Sequence, residues 1–225
     1  MIYNNIKMNF ERIYRIKNKI FSSNTYICPT YNDKECILID PGLSYESIDN
    51  KIIELGLKPI GIFCTHGHFD HIRSIKKFQK KYNCKFYLHE LDLKIAQSSN
   101  FFLRIFKINL FMDIPIPDVL IKKDKTFTIG KNKINVFHTP GHTPGSCTIE
   151  FNNSIFPGDL IYFNSVGLVN FPGEDKNLLK ESIIKIWDLF PYTHFLYPGH
   201  GRSGLFGDMK RNNIKIRNFL KQEKI

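Results

Sequence analysis

The segment CTHGHFDH, residues 64–71, packs His66, His68, Asp70 and His71 into a short run of a chain that holds eight histidines in all. A solvated loop would tolerate such a cluster, but imidazole and carboxylate at this density are also the donors that Zn²⁺, Fe²⁺ and Mn²⁺ select. Three later fragments have the same character: TPGHTPGS with His142, FPGDLIY with Asp159 and YPGHG with His200, each a metal-type donor beside glycine or proline. Glycine permits tight turns and close approach of the backbone to an ion, so each donor can point into a shared groove. The five histidines and two aspartates suffice for two adjacent ions. A natural division gives His66, His68 and His142 to one ion and Asp70, His71 and His200 to the other, with Asp159 bridging. Neighbouring cations repel, so a bridging carboxylate and a bridging hydroxide are expected, the hydroxide serving as nucleophile.

The elements around these residues explain how they could converge. From Phe10 to Asp40, FERIYRI, TYICPTY and ECILID read as antiparallel strands at a sheet edge. A helix follows from Ser44 with Ile48, Ile52, Ile53 and Leu55 as its inner stripe, and PIGIFCTH is a buried strand that runs into the histidine cluster. Helical periodicity over Phe69–Tyr82 places Asp70 and His71 at a helix start. KFYLH is another strand, and the apolar stretch 89–118 has no clear period. KTFTIG, KINVFHTPGHT, GSCTIEF and SIFPGD read as hairpin strands. A helix over 177–190, the strand HFLYPGH and a last helix over 207–221 complete the chain. Strands and helices alternate in two similar halves, which predicts an α+β fold, two sheets face to face with helices outside, as one domain over 1–225. Loops leaving the strand ends gather along one edge, where a site belongs.

Composition is ordinary for a globular protein, with 42% hydrophobic and 24% charged residues. The net charge of +11 keeps nucleic acid open as a partner. Lysines are spread along the chain, however, and those at 76, 77, 80, 81 and 85 read as a solvated helix face, so specific nucleic-acid binding is not expected. The five cysteines show no CxxC spacing and read as buried, reduced thiols. No leader-like run opens the sequence, and FFLRIFKINLFMDIPI is too short and too charged to span a bilayer, so a cytoplasmic protein without a membrane role is expected.

The ordered blocks THGHFDH, TPGHTPGS, PGDLIY and PGHG, together with SNTYI and LIDPG upstream, resemble the metallo-β-lactamase fold superfamily, and within it the glyoxalase II-like hydrolases. The resemblance implies a four-layer αββα sandwich and carries metal-ligand roles to His66, His68, Asp70, His71, His142, Asp159 and His200. Two divalent ions are implied, Zn²⁺ first, with Fe²⁺ and Mn²⁺ also compatible. His89, His138 and His194 read as packed or hydrogen-bonded side chains, His138 with a supporting position behind the TPGH loop. Asp40 reads as support for the histidine loop. Tyr162 could give a phenolic hydrogen bond to an oxyanion, as in related lactonases, but is read first as a packing aromatic.

Such a site suits hydrolysis of an acyl bond in a small molecule. A thiolate leaving group, with a pKa of about 8.5, needs little protonation. An amide or phosphodiester needs more help, and Asp70 is the candidate to carry that proton. Glyoxalase II-like chains commonly read SxGR followed by an acid; here Leu168 and Asn170 stand at those places, and about 25 residues follow His200, too few for the helical glutathione-binding domain. A thioester with an apolar acyl group is therefore expected over S-lactoylglutathione, in a pocket walled by Tyr162, Phe163, Leu168, Phe171 and the segment Phe101 to Met112. The alternatives are a persulfide dioxygenase with one iron on His66, His142 and Asp159, and a ribonuclease of the same superfamily.

Overall fold

The structure is a computed structural model that describes residues 13–32, 34–168 and 173–221. Runs rich in Ile, Val, Phe and Tyr between turn residues form the strands. Strands β1 (Tyr14–Lys17), β2 (Asn24–Pro29), β3 (Glu35–Ile39), β4 (Lys58–Phe63), β5 (Lys85–His89) and β6 (Val119–Ile121) pair in that order. The first three are antiparallel, and the sheet is parallel from β3 onward. The second sheet runs β7 (Lys125–Ile129), β8 (Asn132–His138), β9 (Cys147–Phe151), β10 (Ser154–Gly158), β11 (Phe195–Pro198), β12 (Gly204–Leu205), antiparallel except between β10 and β11.

Three buried clusters account for the layering. Tyr26, Ile37 and Phe63 of the first sheet meet Val136, Ile149 and Phe156 of the second in a core between the sheets. The opposite face of the first sheet, through Leu38, Ile62 and Leu88, packs on helices α1 (Tyr45–Glu54), α2 (Phe69–Ile72), α3 (Ile75–Tyr82), α4 (Leu93–Gln97) and α5 (Ser99–Ile105). The outer face of the second sheet packs on α6 (Lys176–Leu189), α7 (Phe206–Asn212) and α8 (Ile214–Lys221). Each sheet thus buries both faces, which is the αββα sandwich. All five cysteines are buried and none is in a disulfide, and among the described residues no helix is long and apolar enough to cross a membrane.

Three helix readings change. The single helix over 69–82 is two, because the Ser74 N–H leaves the helical ladder for the Pro41 carbonyl at 3.0 Å while its hydroxyl donates to the Gly42 carbonyl. The last helix is also two: buried Asn213 breaks it, giving its amide N–H to carbonyls of Tyr162, Phe163 and Ser165 and accepting Ile216 N–H at the start of α8. In α1 the inner stripe is Ile48 and Ile52, and Ile53, expected with them, is 59% exposed because it sits a further 100° round the axis. The unpatterned 89–118 stretch contains a 3₁₀ turn at Glu90–Asp92 and the short helices α4 and α5. Of the first predicted strand, residues 10–12 lie outside the described residues.

Candidate metal centre

Each donor sits where a strand or its following loop reaches one edge of the sandwich. β4 leads into His66 and His68, α2 carries Asp70 and His71, the loop after β8 carries His142, the end of β10 carries Asp159 and the end of β11 carries His200. Nitrogen atoms of His66, His68 and His142 lie within 4.8 Å of one another, as do donor atoms of Asp70, His71 and His200. His68 Nδ1 is 3.1 Å from His142 Nε2. Asp159 stands between the groups: its Oδ2 is 3.7 Å from His142 Nε2 and 3.3 Å from His200 Nε2, and its Oδ1 is 3.7 Å from His71 Nε2.

Hydrogen bonds behind the rings set which nitrogen faces inward. Asp40 accepts the Thr65 N–H and hydroxyl, at 2.8 and 2.6 Å, and lies 3.0 Å from His71 Nδ1. Thr65 Oγ1, its own proton spent on Asp40, accepts from His66 Nδ1 at 3.0 Å. His142 Nδ1 faces two acceptors, the Gly167 carbonyl at 3.2 Å and the Glu174 carboxylate at 3.3 Å. In all three rings Nδ1 therefore holds a proton and Nε2 is the atom turned toward the site. Asp40 also lies near His66 and His71 as a third donor group, but both its oxygens are engaged with Thr65 and His71, so it supports the loop as the sequence suggested.

Burial is complete enough to decide protonation. Burial, and then the neighbouring histidines, push His66 well below its ordinary value and His68 down to about 3. Burial also pulls His71 down, yet Asp70, Asp159 and Asp40 together outweigh it and lift the ring to about 10. Burial alone would raise Asp159; His200 and His71 overcome it and hold the carboxyl well below the carboxylate range. The buried Nε2 atoms of His66 and His71 and Oδ1 of Asp159 have no hydrogen-bond partner among the described residues. His66 and His68 are neutral imidazoles beside an ionised Asp159, and His71 carries a proton that a metal ion would displace; buried polar atoms without hydrogen bonds, each costing about 1–3 kcal/mol, mark a metal-binding set. The donor set thus fits two divalent ions.

Backbone packing makes the convergence specific. Gly199 lies so near the site that a Cβ there would stand 2.0 Å from Asp159 Oδ1. Asp92, fully buried, clasps the two histidine loops: Oδ2 accepts the Gly67 N–H at 2.7 Å and the Thr143 hydroxyl at 2.8 Å, and Oδ1 accepts the Gly145 N–H at 2.7 Å. The PGHG loop is held from β2, where Asn24 Nδ2 donates to the Pro198 carbonyl at 2.9 Å and to that of Gly201 at 3.0 Å, and Tyr26 Oη donates to the Pro198 carbonyl at 2.6 Å.

A matching family model covers residues 19–200, that of the metallo-β-lactamase superfamily. The chain belongs to the metallo-β-lactamase superfamily. An uncharacterized protein of Aquifex aeolicus is 32% identical over 168 residues, covering 74% of this chain and 78% of that one. The "Probable polyketide biosynthesis zinc-dependent hydrolase BaeB" of Bacillus velezensis is 25% identical over 214 residues, 94% of this chain and 88% of its own. Among solved structures, the BLEG-1 B3 metallo-β-lactamase superposes with a TM-score of 0.84 at 28% identity, covering 94% of this chain and all of that one. TTHA1623 in a di-iron-bound form gives 0.78 at 28% identity, covering 89% and 98%.

The cleft over the donors has a volume of about 480 Å³ and is walled by Phe21, Phe69, Phe106 and Tyr162. Tyr162, read first as packing, lines this cleft, and burial, then the Asp159 carboxylate, raise its phenol well above the ordinary value. Leu168 and Phe163, expected in the wall, instead pack on the core beneath α6, because the Gly167 N–H is bonded back to the Leu160 carbonyl at 3.1 Å. Asn170 and Phe171 lie outside the described residues. His138 stacks on His89 at 4.1 Å and bonds the Pro144 carbonyl through Nε2 at 2.9 Å, behind the His142 loop. His194 lies 3.9 Å from Glu150, away from the donors. Sequence reasoning missed Asp92, Glu174, Asn213 and the wall residues Phe21 and Phe69. Phe69, inside the HFDH run itself, was the one with a signal.

Proposed function

We propose that this protein is a two-metal hydrolase of a thioester or related small acyl compound with an apolar acyl group. The observation that carries the reading is the pair of intact three-donor sets joined through Asp159. When bound, two divalent ions supply a water that ionises near neutral pH and polarise the acyl carbonyl. His66, His68 and His142 would hold one ion, and Asp70, His71 and His200 the other, with Asp159 shared. Phe21, Phe69 and Phe106 exclude water from the cleft and receive the acyl chain. Asp70 lies on the cleft wall, where it is placed to relay a proton to a leaving group. A thiolate, a weak base, asks least of it. The zinc-dependent hydrolase among the relatives supports hydrolysis and zinc, and the di-iron neighbour keeps iron in view.

The test joins metal analysis to a substrate panel. Protein purified without chelator is expected to hold two transition-metal ions per chain and to hydrolyse apolar acyl thioesters with higher kcat/KM than S-lactoylglutathione or a β-lactam. Asp159→Ala should abolish turnover of all of them. One iron per chain, with oxygen consumed on glutathione persulfide, would overturn the reading in favour of a dioxygenase.

A further inference from the structure

A second cavity, of about 810 Å³, opens beside the metal cleft. Neighbouring stretches of the chain line the two. Phe69 and Asp70 of α2 line the cleft, and Arg73 and Ser74, one turn on, line the groove; Phe106 lines the cleft, and Phe111 to Asp113 line the groove. The groove's floor is cationic: Lys76, Lys77 and Lys80 of α3 line it at spacings of three and four, and Arg73, at the end of α2, adds a fourth cation. A single lining carboxylate, Asp113, pairs with Lys76 at 2.5 Å, and Lys77 has an exposed contact with Glu46 at 3.6 Å. Arg73 reaches the Phe111 carbonyl at 3.4 Å through Nη2, while its Nε is buried with no acceptor among the described residues. Four cations against Asp113 and the exposed Glu46, with one Arg73 N–H unanswered, leave the groove an excess of positive charge that suits an anion.

We propose that this groove binds the phosphate end of a thioester carried on phosphopantetheine or coenzyme A, while its acyl end enters the metal cleft. The inference rests on the thioester reading above and names the carrier. Hydrolysis breaks the C–S bond, adds water's oxygen to the acyl carbon to give a carboxylic acid, and returns the proton to the departing thiol. The carrier leaves by the groove and the acid by the cleft. The size of the groove suits a small ligand rather than a strand of nucleic acid, and Phe111, 79% exposed at its rim, offers a face for a base to stack on.

The experiment uses the holoenzyme and a Lys77→Ala/Lys80→Ala variant, two exposed side chains outside the metal centre. Calorimetry with desulfo-coenzyme A, which has no thiol to reach the metals, should show binding that weakens about 10-fold in the variant and with rising salt. One acyl group is then compared on N-acetylcysteamine, phosphopantetheine and coenzyme A. The variant should lose about 10-fold in kcat/KM on the phosphate-bearing carriers and keep its rate on N-acetylcysteamine. A loss on phosphopantetheine assigns the groove to the pantetheine phosphate; a loss on coenzyme A alone assigns it to the nucleotide phosphates. Equal binding of desulfo-coenzyme A by both proteins, or single-stranded RNA held by the same lysines in preference to it, overturns the proposal. Retained desulfo-coenzyme A binding without turnover of the N-acetylcysteamine thioester would instead fault the hydrolase reading.

Discussion

Replacing Asp92 by alanine tests whether the two histidine loops are held as the geometry indicates. Asp92 is fully buried and donates nothing to the metal set, yet it is the acceptor for the N–H groups of Gly67 and Gly145. Thr143 would keep a partner, since its hydroxyl also lies 2.7 Å from Ser146 Oγ, so two backbone donors are orphaned. At about 1–3 kcal/mol for each buried unsatisfied donor, the loss is about 2–6 kcal/mol, a large part of the roughly 5–15 kcal/mol that holds a domain folded. His68 flanks Gly67 and His142 flanks Thr143, so the same change loosens the first donor set. Urea denaturation of the metal-free protein reads the stability term, and competition against a chelator reads the affinity. Asp92→Asn, which keeps one acceptor oxygen, should fall between. An Asp92→Ala protein within about 0.5 kcal/mol of the parent, the range of an ordinary surface change, and with unchanged metal affinity, would refute the clasp.

Two further outcomes follow from the site and its surroundings. Metal at a hundredfold excess over its Kd stabilises by about 2.7 kcal/mol, which for a chain of this length is about 5–10 °C in Tm; differential scanning with and without chelator should show that drop, and an unchanged Tm would remove the ions from the folded state. Burial, then the stacked His138, lower His89 to about 4, so the unfolded chain binds a proton there below about 6.5 while the folded protein does not. The His89 contribution is full above that pH and is lost as pH falls towards 4; in metal-free protein His89→Asn should flatten the stability profile across that window, and parallel profiles would contradict it.

The donors were legible because five of them are written beside glycine and the other two, Asp70 and His71, stand in the same run as His66 and His68, a local pattern that survives any tertiary detail. The layered fold followed from the alternation of those runs. What failed was non-local. Ser74 ends a helix because Pro41, far upstream, offers its N–H an acceptor, and no helical period records that. Asp92 looks like any acid in a short exposed helix until the Gly67 and Gly145 loops close on it. Leu168 turns inward because of a backbone bond from Gly167 to Leu160, whereas motif position alone suggested the substrate wall. Phe21 enters the cleft from a turn with left-handed φ of 60°, a conformation that a phenylalanine does not advertise.

The tie between Asn24 and the Pro198 carbonyl joins residues 174 positions apart. At about 5–20 residues per second of synthesis, roughly 10–35 s separate the appearance of the two partners. A growing chain can gather His66, His68 and later His142 early, but His200 cannot be brought beside Asp70 and His71 until the PGHG loop exists and docks on β2. The second donor set is therefore completed late, ahead only of β12, α7 and α8, and its completion reports that the PGHG loop has docked on β2. A chain stalled before β11 would carry His66, His68 and His142 of the first donor set but lack His200 of the second.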